Sequence, residues 1–183
     1  RLNVHAMTDM RSDDALARAE RDIAEADFVI ANMLFMEEHI AKVKPFLEAR
    51  RDQCDAMVAM LSAGDVVKLT RLGGFDMSKP ASGVLGLLRR LAGRKKGKNG
   101  ENASSGKGQM KMLQTLPRLL RYIPGKAQDV RAYFLAMQYM LAGSEDNLVN
   151  FVRFLISRYS AGSRAPLRDL VSAKDPVLYP DVG

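Results

Sequence analysis

Tryptophan is absent from this chain of 183 residues, cysteine occurs once and histidine twice. The lone thiol, Cys54, excludes a disulfide within the chain and fits a reducing cytoplasm. No apolar run approaches the roughly 20 residues that a membrane-spanning helix requires, and no secretory leader is visible. Neither G-x-G-x-x-G nor a Walker lysine pattern occurs anywhere, so the usual sequence signatures of a phosphate-cradling loop are missing. What the chain has instead is methionine, 11 in all, which points to a core partly filled by flexible thioethers. With 47% hydrophobic and 27% charged residues it has the composition of a folded domain, and its length suffices for one core plus an appendage. The first residue is Arg1, not Met, which we read as an internal piece of something larger.

The net charge of +7 is local. Between residues 89 and 111 stand Arg89, Arg90, Arg94, Lys95, Lys96, Lys98, Lys107 and Lys111 against Glu101, so this stretch alone carries +7 and the rest sums to zero. Basicity therefore belongs to one segment and not to the folded surface.

Three short apolar runs alternate with helical patterns. "LNVHAM" (2–7), "DFVIANML" (27–34) and "CDAMVAML" (54–61) read as strands. Between the first two, Ser12 is placed to cap a helix with Asp13 and Asp14 in its first turn, and Leu16, Ala19, Ile23 and Ala26 line one face. "MEEHIAKVKPFLEARRDQ" follows as a helix that Pro45 should kink or divide. "SAGDVVKLTRLGGF" reads as a turn and a helix ending at Gly73-Gly74. Strand and helix in alternation predict an α/β fold: a partial Rossmann-like three-layer unit with parallel strands over 1–77, lacking its first strand. Residues 78–111 read as a short basic helix, "GVLGLLRRLAG", followed by a disordered Lys/Gly/Ser linker. Residues 112–160 predict a helix interrupted at Pro117 and then a helical hairpin that turns at Gly143 with Ser144 as N-cap. Residues 161–183 read as a loop-like tail leading to a next domain.

Four features invite a chemical reading. Glu37, Glu38 and His39 offer carboxylates beside an imidazole, but neighbours on a helix point about 100° apart and cannot converge on one ion. The positions three and four from His39 hold Phe35, Met36, Lys42 and Val43, none a useful ligand. The two glutamates fit a first helical turn, where the dipole favours them. The "SAGD" turn (62–65) has one glycine and reads as a tight strand-to-helix turn. The basic linker could meet phosphate, anionic lipid or an acidic partner, yet it has no aromatic residue on which a base would stack. Tyr133, Phe134, Tyr139, Phe151, Phe154 and Tyr159 read as hairpin core, with Phe134, Met137 and Leu141 on the inner stripe. Cys54 has no histidine near it in sequence, so an activated thiolate is unsupported.

The strings "ADFVIANMLFMEEHI", "LEARRDQCDAMVAMLSAGDVVKLTRLGGFDM" and "IPGKAQDVRAYFLAMQYMLAGSEDNLVNFVRFLISRY" resemble the N-terminal region of the magnesium chelatase large-subunit (H) family. The likeness runs from about Asp27 to Tyr159, and "VLYPDVG" resembles the point where that family enters its next domain. Met140 departs from the aromatic residue expected there. Cobalt chelatase is a weaker match. The resemblance implies a large subunit that binds protoporphyrin IX in (bacterio)chlorophyll synthesis. It implies two AAA+ ATPase partners, the I and D subunits, that use ATP to drive Mg2+ insertion, in a bacterial cytoplasm or a plastid. The insertion cavity is expected beyond Gly183, so no catalytic residue, no metal site and no porphyrin contact is carried onto this chain. Its role would then be structural, docking or gating, with neither nucleic acid nor a membrane segment involved. The alternative is a non-enzymatic interaction module whose basic linker binds an acidic partner or nucleic acid.

Overall fold

The computed structural model describes residues 1–10, 12–79 and 115–177. Helix α1 (Asp13–Glu25) leads to strand β1 (Phe28–Asn32), α2 (Glu37–Arg50), β2 (Ala56–Met60), the short α3 (Gly64–Val67) and strands β3 (Arg71–Leu72) and β4 (Phe75–Asp76). The four strands form one sheet in the order β1-β2-β3-β4. β1 and β2 are parallel, with Phe28 opposite Ala56 and Asn32 opposite Met60. Later come α4 (Lys126–Ala142), α5 (Glu145–Tyr159) and the four-residue α6 (Leu167–Leu170). The described chain divides into two compact units, Arg1–Arg71 with Asp76–Ser78, and Leu72–Phe75 with the described residues from Lys79 onward.

In the first unit the α1 cap forms as the sequence predicts, the Ala15 N–H donating to the Ser12 hydroxyl at 3.3 Å. Ala19 is buried in the core, and Leu16 and Ile23 from the same helix, with Ala26 just past its end, pack against that core. All five residues of β2 are buried, whereas burial alternates along β1. That contrast is expected when β2 lies inside the sheet and β1 has one strand neighbour among the described residues. Pro45 sits inside α2 without dividing it. It can donate no bond to Ala41, but its ring lies on the exposed side of the helix.

Two expectations are corrected. Residues 2–7 form no strand; Leu2 and Val4 are 70% and 81% exposed, so the apolar alternation there finds no sheet to join. The helix after residue 62 stops at Val67, and residues 71–76 form a β-hairpin around Gly73-Gly74. Gly73 takes φ +53, which glycine adopts at no steric cost. The parallel set among the described residues is therefore two strands, with a hairpin added on the β2 side. Thr70, fully buried, fixes that addition: its hydroxyl donates to the Ala59 C=O at 2.9 Å and accepts from the Ala59 N–H at 3.0 Å.

Arg51 closes the unit at the C-terminal end of α2. Its guanidinium, only 12% exposed, donates to the Leu69 carbonyl at 3.1 Å, to the Ser78 hydroxyl at 3.3 Å and to the equally buried Asp76 carboxylate. Arg71 donates in turn to the main-chain carbonyls of Arg51, at 3.0 Å, and Cys54.

The second unit is built on the α4–α5 hairpin. Gly143 ends α4 at φ +61 with its N–H on the Tyr139 carbonyl, and the Ser144 hydroxyl caps α5 by accepting from Asn147 at 3.3 Å. Both features follow the sequence reading. The inner stripe does not: Val130, Tyr133, Ala136 and Tyr139 are buried, while Leu141 is 43% exposed. Tyr139 stacks on Phe151 at 5.9 Å between ring centres and lies 5.8 Å from Phe154. Residues 115–120 are helical through Pro117. Gln128 holds the end of that segment by donating to the Leu120 and Ile123 carbonyls at 2.7 and 2.5 Å. Asp129 accepts from the Gly74 N–H at 2.9 Å and from the Tyr159 hydroxyl at 3.0 Å. A Cβ at Gly73 would lie 2.9 Å from that carboxylate, a second reason for glycine there. The basic helix 83–93 and the linker 94–109 lie outside the described residues.

Burial raises the phenols of Tyr133, Tyr139 and Tyr159, that of Tyr139 to about 12. A phenol raised in the folded state contributes stability that is complete below about pH 10 and is lost as pH rises through the folded value. We therefore expect the hairpin to weaken between about pH 10 and 12. In a spectrophotometric titration the phenolate absorbance of these three should lag behind that of the urea-unfolded chain. Coincident folded and unfolded curves would refute it.

Candidate functional site

Parallel α/β sheets present ligands and partners at the carboxyl ends of their strands. Here that edge consists of residues 33–36 after β1 and 61–63 after β2. Met33 and Leu61, each the first residue past its strand, both have positive φ, 61° and 46°. Neither is glycine, so each conformation costs on the order of 1–2 kcal/mol. The surroundings hold them there. The Leu34 N–H donates to the Ser62 hydroxyl at 3.0 Å, the Ser62 hydroxyl donates to the Met60 carbonyl at 2.9 Å, and the Ala63 N–H donates to the Leu34 carbonyl at 2.8 Å.

This stitching turns Leu34 into the core and leaves its neighbours outside. Leu34 is 8% exposed, while Met33, Phe35 and Met36 are 61%, 57% and 60% exposed. Three large apolar side chains exposed within four residues are the kind of feature that marks an interaction site. Glu37 and Glu38 follow at once in the first turn of α2. An open cleft of about 480 Å³ lies alongside, lined by Met7, Met36, Glu38, His39 and Lys42. At the bottom of the same edge, the Asn32 side-chain oxygen is buried and has no hydrogen-bond partner among the described residues.

The structure places Glu37, Glu38 and His39 on successive positions of α2, and Glu38 pairs with Lys42 at 3.7 Å, one turn on. Among the described residues no group of three His, Cys, Asp or Glu side chains stands where it could hold a metal ion. In the "SAGD" turn Gly64 opens α3 and Asp65 pairs with Lys44 at 3.2 Å. That bond depresses the Asp65 carboxyl and raises the Lys44 ammonium. Cys54 is buried, and desolvation pushes its thiol up against the opposing pull of Arg71, the reverse of an activated thiolate. The six aromatics lie in the α4–α5 hairpin, where the Tyr139 ring meets those of both Phe151 and Phe154.

Sequence reasoning missed the exposed Met33–Met36 surface. The signal was present in "ANMLFM": a strand of ordinary length ends before this run does, and only one residue of the excess turns inward. No helix among the described residues is long and apolar enough to cross a membrane.

The family described as a domain of unknown function (DUF3479) matches residues 1–134. Over its whole length the chain is 51% identical to the magnesium-chelatase H subunit of Cereibacter sphaeroides and 44% identical to that of Rhodobacter capsulatus, covering 15% of each. It is 33% identical to ChlH, the chloroplastic magnesium-chelatase subunit of rice (Oryza sativa subsp. indica), with 98% of this chain and 12% of that protein aligned. The chain thus spans about 15% of the length of the first two relatives.

Proposed function

The chain belongs to the DUF3479 domain family, and its whole length aligns with about 15% of the magnesium-chelatase H subunits of two bacteria; on that premise we propose that it serves such a subunit as a docking region. The complete subunit would bind protoporphyrin IX, and ATPase partners, the I and D subunits, would drive Mg2+ insertion, in the cytoplasm of a bacterium or in a plastid. The chemistry would take place in the remainder of the subunit. Mg2+ and the porphyrin enter as substrates, and ATP is consumed by the partners.

One observation carries the docking role: Met33, Phe35 and Met36 stand exposed on a strained, internally stitched strand edge. A backbone held in place at cost presents these side chains in a fixed arrangement, and thioethers adapt to an apolar partner surface. The occupant we commit to is the remaining, larger part of the same subunit, because this chain covers only 15% of the length of its relatives.

Peroxide footprinting of the full-length subunit tests this. Met57 and Met60 are fully buried and give an internal scale for protection. If the rest of the subunit covers the edge, Met33 and Met36 will oxidise as slowly as Met57 and Met60. Oxidation at the rate of a solvent-exposed methionine would refute docking within the subunit. Protection that arises only on adding the ATPase subunits would reassign the edge to them.

A further inference from the structure

After α6 the chain forms neither helix nor strand over 171–177, and side chains of the α4–α5 hairpin hold it. Asn147, 2% exposed on α5, accepts from the Val177 N–H at 2.9 Å and donates to the Val177 carbonyl at 3.0 Å. A carboxamide carries one acceptor and one donor side by side, so it pairs with an extended residue as a neighbouring strand would. Asn150, three residues on, accepts from the Lys174 N–H at 3.0 Å, and its own amide is oriented by donating to the Asp146 carbonyl at 2.8 Å. The Tyr139 hydroxyl, from α4, donates to the Lys174 carbonyl. Three side chains thus satisfy all four main-chain polar groups of two residues.

The side chains of the segment are held less closely, the Asp175 carboxylate interacting with Arg131 by charge alone. Lys174 and Asp175 are exposed, and Val177 is 58% exposed. We propose that residues 174–177 form a releasable strap: the α4–α5 hairpin grips its main chain and can let it go without itself unfolding. Few buried apolar contacts and a handful of hydrogen bonds are the physical conditions for such a local opening. Because only main-chain groups are read, the grip tolerates other side chains in the strap. Opening it exposes the donor and acceptor of Asn147 together with the Tyr139 hydroxyl, a ready seat for another extended segment.

Native-state hydrogen exchange on the full-length subunit, resolved to single amides, tests the strap. The amides of Lys174 and Val177 should be protected. In Asn147→Leu, which keeps the bulk and removes both bonds, Val177 should exchange at least about tenfold faster, with Phe151 and Leu155 on α5 unchanged. Asn147→Asp keeps the acceptor alone and should fall between the two, which guards against a leucine variant that folds poorly. Equal Val177 exchange in wild type and Asn147→Leu would overturn the proposal. So would loss of α5 protection in step with Val177 in both variants, since the segment would then be part of the hairpin core.

Discussion

Replacing Arg51 by alanine is expected to destabilise the first unit by about 3–5 kcal/mol, the range for breaking one side of a buried ion pair. Arg51 and Asp76 are each 12% exposed, so water cannot readily take over the lost partner. The bonds to Asp76 from the Ser78 N–H at 3.0 Å and the Ser78 hydroxyl at 2.7 Å remain, but neither reproduces the charge of the guanidinium. The Leu69 carbonyl loses a donor as well. Arg51→Lys should recover only part of the loss, because one ammonium cannot reach Leu69, Asp76 and Ser78 in the geometry of a guanidinium fork. Urea denaturation followed by circular dichroism measures this directly. A loss below about 1 kcal/mol would show that the pair behaves as a surface salt bridge.

Phe151→Ala should cost the second unit a similar amount, about 3–5 kcal/mol, for a different reason. Phe151 is 1% exposed and stacks on Tyr139. Its removal loses apolar burial and an aromatic contact and leaves a cavity that two helices fixed by the Gly143–Ser144 turn cannot easily close. Leu148→Ala, on the same helix but 41% exposed, is the control and should change stability by no more than about 0.5 kcal/mol. Thermal unfolding of both variants separates the cases. Equal shifts would mean that the packed face of α5 has been misidentified.

Where local chemistry decides structure, the sequence was readable. Ser12 and Ser144 announced their helices because a hydroxyl at the cap position has one dominant use, and Gly143 announced the end of α4 for the same reason. β1 and β2 were legible as short apolar runs between helical periods. The failures have one cause, since each depends on what a segment meets in three dimensions. "LNVHAM" has the pattern of a strand but no neighbour. Gly73-Gly74 suits a helix end or a hairpin equally, and the grip of Thr70 on Ala59 decides between them. The stripe on α4 was misassigned because that helix is buried over a wide arc, so apolar spacing alone could not orient it. The candidate site was least legible, since its content is the outward direction of Met33, Phe35 and Met36, which backbone strain and a serine bridge impose.

The complete burial of β2 also bears on how the molecule is made. β1 cannot pair until β2 is available, and the partners Phe28 and Ala56 are 28 residues apart. The loop between them must close before the pairing yields any stabilisation, which makes this a slow contact to form. During synthesis β1 leaves the ribosome well ahead of its mate. β2, the run "AMVAM", stays uncovered until α2 and the hairpin close over it. An uncharged five-residue strand in that condition is the part of the chain most prone to wrong partners. We therefore place a risk of aggregation for this protein in the interval before β1 and β2 meet.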